Sequence, residues 1–364
     1  MVSFNMILPE MNQLITSMNA SDYKGLIILF FALAAAISRP FSGQLADKVG
    51  RKFVIIFGSI LSIFTLLLYP FASSIFLFLT LRFIHGFSVG ASPTGATAMV
   101  IDELPIERRG SGMGIWGTFI SVGIGVGQLI GSPIKAYLGI QAMFVLAAFF
   151  VGIALLFQLS VKETLLHKQR FTLALIVPSR ENLFERGVFP AALVMILTSV
   201  CSGIIFVLVP DICEYLAIKN KGWFFLFYVV STILIRFFAG RFSDVKGRVV
   251  ALKWGVFCLG CAMILLMFSI NQFIFTLSSV VFGIATGIIS PALYAWSADL
   301  SPVHRKGIGT GTLFIALEIG IMLGSFMTLL TYSNTLFSAN FSFASGLICA
   351  VISYLFLRRY SFFH

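Results

Sequence analysis

Between two apolar runs the chain reads Gly43-Gln44-Leu45-Ala46-Asp47-Lys48-Val49-Gly50-Arg51-Lys52, and between two others it reads Gly240-Arg241-Phe242-Ser243-Asp244-Val245-Lys246-Gly247-Arg248. The stretches stand 197 residues apart, Gly43 against Gly240, and the same offset continues on both sides of them. Upstream, Lys24-Gly25 recurs as Lys221-Gly222 and Arg39 as Arg236. Downstream, Gly86 and Gly90 return as Gly283 and Gly287, while Asp102, Pro105, Arg108 and Gly110 return as Asp299, Pro302, Arg305 and Gly307. Gly112, Gly114, Gly123 and Gly127 match Gly309, Gly311, Gly320 and Gly324. One register held without a gap from Lys24 to Gly127 marks a tandem duplication.

The surroundings of these loops fix the solvent. The 364 residues are 59% hydrophobic and 11% charged, with a mean hydropathy of +1.00. A soluble chain carries roughly a quarter of its residues as charges. The apolar residues also come in runs such as 53–72, 141–159, 191–209, 251–270 and 341–357. Each is near the ~20 residues that a helix needs to cross a hydrocarbon core of ~30 Å. A soluble protein could not hide so many runs from water, and the short alternating segments of a β-barrel are missing. The breaks predict twelve spans near 1–17, 25–46, 53–72, 75–100, 111–137, 140–160, 190–209, 222–243, 250–270, 272–298, 308–331 and 338–358. The expected fold is an all-α membrane protein of twelve transmembrane helices in two six-helix repeats. Six is even, so both repeats enter from the same face and are parallel about an axis normal to the membrane. The expected division is a bundle at 1–160, a linker at 161–189 and a second bundle at 190–364. Counting from Met1 to Ser17 gives a helix of only ~26 Å, so the first span is expected to be truncated. No basic stretch with a small-residue cleavage site precedes it, and no cleavable signal peptide is expected.

The net charge of +11 raises nucleic acid as a partner, and its placement argues against one. With the N-terminus inside, the connections on the cytoplasmic side and the C-terminal tail hold 18 of the 25 Lys and Arg. The opposite side holds Lys24, Lys135, Lys219 and Lys221, and Arg39, Arg82 and Arg236 fall within spans. This is the positive-inside asymmetry, which predicts both termini in the cytoplasm. Cys258 and Cys261 form a CxxC inside an apolar helix with no second pair of ligands, so it reads as packing and not as a metal or redox site. No metal and no cofactor are expected.

The loop at 43–52 matches the signature G-x-L-a-D-r-x-G-r-k almost position for position, and the loop at 240–248 matches it more loosely. In this the chain resembles secondary transporters of the major facilitator superfamily, and the resemblance covers essentially its whole length. It implies two bundles that rock about a central cavity, with these loops latching the cytoplasmic side while the cavity faces outward. The residues suit a latch. Glycine permits tight turns and close helix approach, and Asp47 and Asp244 can accept from helix N-terminal amides and pair with Arg. The loops at 102–110 and 299–307 also resemble family loops and are expected to supply partners, Asp102 to Arg51 and Asp299 to Arg248. The gate set is therefore Arg39, Gly43, Asp47, Gly50, Arg51, Asp102, Arg108, Arg236, Gly240, Asp244, Gly247, Arg248, Asp299 and Arg305.

Ionisable groups inside spans are costly and point to function. Arg82 lies in span four with His85 on the same face one turn on, and Leu81-Arg82-Phe83-Ile84-His85-Gly86 resembles the Arg-containing fourth-helix motif of proton-coupled family members. Glu318 falls ~15 Å deep in span eleven with no basic neighbour in sequence, which is the setting of a reversible proton carrier. Glu10 follows Pro9 and Asp211 follows Pro210, a loose echo between the repeats. The bland reading of each is a structural contact. Span five carries Gly117, Gly123, Gly125, Gly127, Gly131 and Pro133. It is similar to the glycine-proline motif of the superfamily's antiporters, although Ser132 splits the Gly-Pro and the closing Gly-Gly is absent. These glycines serve equally as close-packing sites.

Asn5, Gln13, Gln128, Tyr228, Tyr294 and Trp296 are expected to line the cavity, a mixed surface suited to an amphipathic small molecule. No phosphate-binding G-x-x-x-x-G-K-[ST] loop occurs, so ATP-driven pumping has no support. No nucleophile–base pair suggests an enzyme. The leading expectation is proton-coupled efflux of a small organic solute by a monomeric multi-pass permease of the plasma (bacterial inner) membrane. Proton-coupled uptake of a sugar, organic acid or other nutrient is the alternative, and a transporter-like sensor or scaffold is the rival from another class. The sign of substrate-driven proton movement separates the first two, and its absence favours the third.

Overall fold

The computed structural model describes residues 1–104, 109–165, 168–172, 175, 184–302 and 306–363, with side chains omitted at 109–114, 241, 306–307 and 361–363. Arg108 and Arg305 of the expected gate set lie outside the described residues. Ten stretches are helices long and apolar enough to cross a membrane. One of them, Ile115–Ser160, is two spans that meet at Gly139, whose φ of 86° no helix admits. The twelfth is the first segment, broken into Val2–Ile7, a 3-10 turn at Leu8–Glu10, and Met11–Ser17. Pro9 causes the break, because proline has no N–H to give the helical ladder.

These segments are α1 (2–17), α2 (Lys24–Lys48), α3 (Arg51–Leu68), α4 (Ile75–Glu103), α5 (109–138), α6 (140–160), α7 (Phe189–Tyr215), α8 (Trp223–Lys246), α9 (Arg248–Met267), α10 (Gln272–Leu300), α11 (Lys306–Thr331) and α12 (Leu336–Phe363). The duplication repeats local chemistry as well as sequence. Ser74 caps α4 by accepting from Leu77 N at 3.3 Å, and its counterpart Asn271 caps α10 by accepting from Ile274 N at 2.9 Å. Gly50 and Gly247, with φ of 149° and 92°, turn the chain between α2 and α3 and between α8 and α9. Other residues rarely adopt those angles.

Small residues set the helix contacts. A Cβ at Gly86 would lie 2.2 Å from the Phe31 carbonyl oxygen, and one at Gly283 would lie 2.4 Å from that of Tyr228, so α2 rests backbone-close on α4 as α8 does on α10. Gly127 and Gly131 seat α5 against α1, and Gly320 and Gly324 seat α11 against α7. Gly43 and Gly240 have open space where a Cβ would stand, contrary to the close approach expected of them. The described parts of the linker meet the end of the bundle that bears the duplicated loops, called the loop end below. There Gln169 N donates to Lys48 O at 2.8 Å and Glu185 N to Thr312 Oγ1 at 2.9 Å.

Candidate functional site

The end opposite the loops is closed by charge. Glu10 is 3% exposed; its Oε1 accepts from Ser132 Oγ at 2.6 Å and its Oε2 from Lys135 Nζ at 2.7 Å. Lys221, one residue before the turn into α8, places Nζ 4.0 Å from the same Oε2 and 3.3 Å from Glu214 Oε2. The second crossing joins α2 to α7, where Lys24 Nζ lies 2.5 Å from Asp211 Oδ2. Tyr332 OH donates to that oxygen at 2.7 Å, and Asn12 Nδ2 donates to Asp211 Oδ1 at 2.9 Å and to Val207 O at 2.7 Å. Tyr332 lies just beyond α11; burial, with the Asp211 carboxylate beside it, pushes its phenol up, so it stays a donor. Backbones touch here as well. A Cβ on Gly25 would come within 2.5 Å of Ser325 O, and one on Gly222 within 2.0 Å of Gln128 O.

Glu10 and Asp211 were expected to be intramembrane charges with a proton-coupling role. Both are instead held by lysines near the ends of their helices. The lysines explain the difference, since they read in sequence as charges of the solvent-facing loops. Gln13, expected in the cavity, is exposed at this end and accepts from Lys135 and Lys221.

Nearer the middle, Arg39 lies nine residues before the end of α2, ~13 Å along the axis. Its Nη2 and Nε reach Glu318 Oε1 at 2.5 and 3.2 Å, joining α2 to α11 across the two repeats. The guanidinium also covers the Phe314 ring at 4.8 Å, and that ring meets Tyr294 at 5.5 Å. Glu318 has no basic neighbour in sequence, but the apolar setting expected of it is corrected: its cation comes from the other repeat, 279 positions away. Arg236 of α8 points at α5, donating through Nη1 to Ser121 Oγ at 2.8 Å and Gly117 O at 3.2 Å. Arg39 and Arg236 are thus interior residues and not part of the loops with which they were grouped. Tyr294 is within electrostatic reach of Arg39, Glu318 and Arg236, and Tyr228 of Arg236.

At the loop end each repeat ties up its own charges. Arg51 Nη1 lies 2.5 Å from Asp47 Oδ1 and its Nε 3.1 Å from Asp102 Oδ2. Arg248 contacts Asp244, and its Nε lies 3.1 Å from Asp299 Oδ2. Asp47 is 70% exposed at its side chain and Asp244 65%, and among the described residues neither pairs with the other repeat. Glu163 of the linker, which sequence reading passed over, accepts from the Arg51 and Lys52 amides at 3.0 and 3.2 Å and caps α3. The absence of a side chain at Gly50 makes room for it, since a Cβ there would stand 2.4 Å from Glu163 Oε2.

Arg82 and His85 are completely buried between α2, α3 and α4. Arg82 donates to Ile27 O and Tyr69 OH at 3.3 and 3.4 Å and lies 4.8 Å from the Phe31 ring. Among the described residues it has no carboxylate partner, and its Nη2 has no acceptor. His85 sits between Ser62 Oγ and Tyr69 OH at 3.3 and 3.4 Å. Of the other expected lining residues, Asn5 is buried and donates to Met1 O at 2.9 Å. Gln128 is fully buried with neither amide atom partnered. Trp296 does not line the centre. It is 5% exposed and packs edge-on against Tyr360 of α12 at 5.2 Å.

This arrangement has two repeats, interlocked at one end and tied separately at the other, with charged residues at mid-depth. The family model of the Major Facilitator Superfamily matches residues 1–220 and again 191–362. The chain belongs to the major facilitator superfamily. As a member it is a multi-pass secondary transporter of a small molecule. It is 26% identical to an MFS-type transporter of Methanocaldococcus jannaschii over 99% of this chain and 95% of that protein. It is 24% identical to the quinolone resistance protein NorA of Staphylococcus aureus, covering 82% of this chain and 78% of that one. The match to the multi-drug resistance efflux pump PmrA of Streptococcus pneumoniae is 32% identical but spans 42% of this chain and 39% of the pump. Among solved structures, the human organic anion transporter MFSD10 superposes with a TM-score of 0.74 at 18% identity, over 98% of this chain and 95% of that one. This facilitator therefore has the twelve-helix fold of its superfamily. Of the polar groups that close the end opposite the loops, Asn12, Ser132 and Tyr332 were not singled out in sequence. Lys24, Lys135 and Lys221 were read there as charges of that side, and the repeated Lys-Gly at 24 and 221 was the signal that two of them correspond.

Proposed function

We propose that this chain is a proton-coupled efflux permease that works by alternating access, and that the arrangement described is its inward-facing state. The loop end is then cytoplasmic, with both termini, as the positive-inside asymmetry argues. Bundles at 1–160 and 190–364, joined by the linker at 161–189, rock about a central cavity in a monomer of the plasma (bacterial inner) membrane. The single observation that carries the reading is the interlock of Lys24 with Asp211 and of Lys221 with Glu10, the carboxylate that Lys135 of its own repeat also holds. It joins the repeats at the outer end, while among the described residues the ion pairs of Asp47, Arg51 and Asp102, and of Asp244, Arg248 and Asp299, stay within their own repeat. In the outward-facing state the outer interlock opens and the loops latch across the cytoplasmic side.

Proton movement is assigned to Glu318. Its carboxylate and the Arg39 guanidinium form an ion pair at mid-depth, and protonating the acid would free Arg39 and loosen α2 from α11. Arg82 and His85 act as a fixed interior support of α4 and not as the carrier, because no acid faces them among the described residues. Efflux is preferred over uptake because named relatives include a multi-drug efflux pump and a quinolone resistance protein. The test is an everted vesicle with an imposed inside-acid gradient, to which norfloxacin is added. Dissipation of the gradient on addition supports exchange. Acidification driven by substrate in the opposite vesicle orientation would assign uptake, and no substrate-dependent proton flux in either orientation would leave the sensor or scaffold reading.

A further inference from the structure

The duplication that relates Arg39 to Arg236 also relates Glu318 to Ser121 at the same offset of 197 residues. The two crossings are structural counterparts. α2 meets α11 through Arg39 and Glu318, and α8 meets α5 through Arg236 and Ser121. Their outer ends correspond too, Gly25 closing on Ser325 and Gly222 on Gln128, pairs again separated by that offset. One crossing therefore has a carboxylate opposite its arginine and the other has a hydroxyl. Among the described residues Arg236 has no carboxylate within ion-pairing distance, and both of its protein contacts use Nη1 alone. It is partly exposed and not sealed in the core.

We propose that the substrate is an organic anion whose charged group takes the position opposite Arg236 that a carboxylate occupies opposite Arg39. This rests on the transport reading and gives it a substrate class. A guanidinium inside a membrane span is expensive, and neutral acceptors offset that cost less well than an anion. Its planar fork leaves Nε and Nη2 for a carboxylate or sulfonate. Arg39, Glu318 and Arg236 together carry one net positive charge, which one monoanion neutralises. Phe314 against Arg39, Tyr294 against Phe314, and Tyr228 of α8 are partly exposed aromatic groups that the body of such a ligand would pack on. The bland reading is that Arg236 is a strut that only ties α8 to α5.

The experiment uses the full chain in lipid nanodiscs and equilibrium dialysis, corrected for empty nanodiscs, with three probes sharing one ring system: 1-naphthoate, 1-naphthylmethylammonium and 1-naphthylmethanol. Naphthoate is expected to bind about ten-fold more tightly than the other two. Arg236→Gln, which removes the cation, and Ser121→Glu, which supplies the missing acid, should each weaken naphthoate by about ten-fold or more. Ser121→Thr, which keeps the hydroxyl, should leave it nearly unchanged. Arg236→Gln and Ser121→Glu reach one end by opposite routes, so failure of one to fold leaves the other decisive. Equal binding of the amine or the alcohol, no binding of naphthoate, or full naphthoate binding in both charge variants would overturn the proposal. Binding is read apart from flux: a protein that holds naphthoate and moves no protons contradicts the transport reading only.

Discussion

Arg39 and Glu318 lie 279 positions apart in sequence and 2.5 Å apart in space, and their energetics are those of a buried pair. Removing one partner strands the other at mid-membrane, which costs about 3–5 kcal/mol. Arg39→Gln and Glu318→Gln should each lower the unfolding temperature of the detergent-purified protein and abolish coupled transport. The double variant should regain most of the stability without the coupling. Recovery of proton-driven transport in the double variant would remove Glu318 from the proton path. At the turn before α3, Gly50→Ala meets both a φ of 149° and the Glu163 carboxylate, whereas Gly247→Ala meets a φ of 92° with open space around it. Backbone strain of this kind costs about 1–3 kcal/mol. Thermal denaturation should therefore find Gly50→Ala the more damaging of the two, by the displaced cap.

The helices themselves were legible in sequence to within a few residues, because span length and hydropathy are set by the bilayer and not by partners. The junction of α5 and α6 at Gly139 falls in the break read between 137 and 140. One element was not legible: α1 is broken at Pro9 where a continuous helix was expected. Partners across the repeats were illegible too. Glu318 gives no sign in sequence of Arg39, and Trp296, read as cavity lining, faces α12 because helical phase alone does not say which neighbour a helix face meets. Close helix seats yield a prediction at this scale. Gly222→Ala would force a Cβ to within 2.0 Å of Gln128 O, a backbone atom that cannot yield, so α8 should be held off α5. In a background free of the five native cysteines, Gln128→Cys should then react with a maleimide faster than the same cysteine beside Gly222. Equal reactivity would show that this contact does not close the outer end. The charge pairs within each repeat are testable by exchange: Arg51→Asp and Asp102→Arg should each reduce transport, and the combination should restore it in a vesicle flux assay.

At the scale of the whole molecule, the duplication places equivalent arginines at equivalent depths, and at their two crossings the difference of Glu318 against Ser121 breaks the electrical symmetry. Orientation is tested by cysteine mapping. Engineered cysteines at Lys48 and Lys246 should be labelled only from the cytoplasmic side, and labelling of one from each side would dismantle the parallel-repeat architecture. The junction at Gly139 has a separate consequence. With a single residue turning the chain there, and only short connections at 18–23, 69–74, 216–222, 268–271 and 332–335, the end opposite the loops, outermost in the proposed orientation, offers almost no projecting polypeptide. Antibodies, proteases and bulky impermeant reagents applied to intact cells would find little to grip, and an inserted epitope would need to supply its own protrusion.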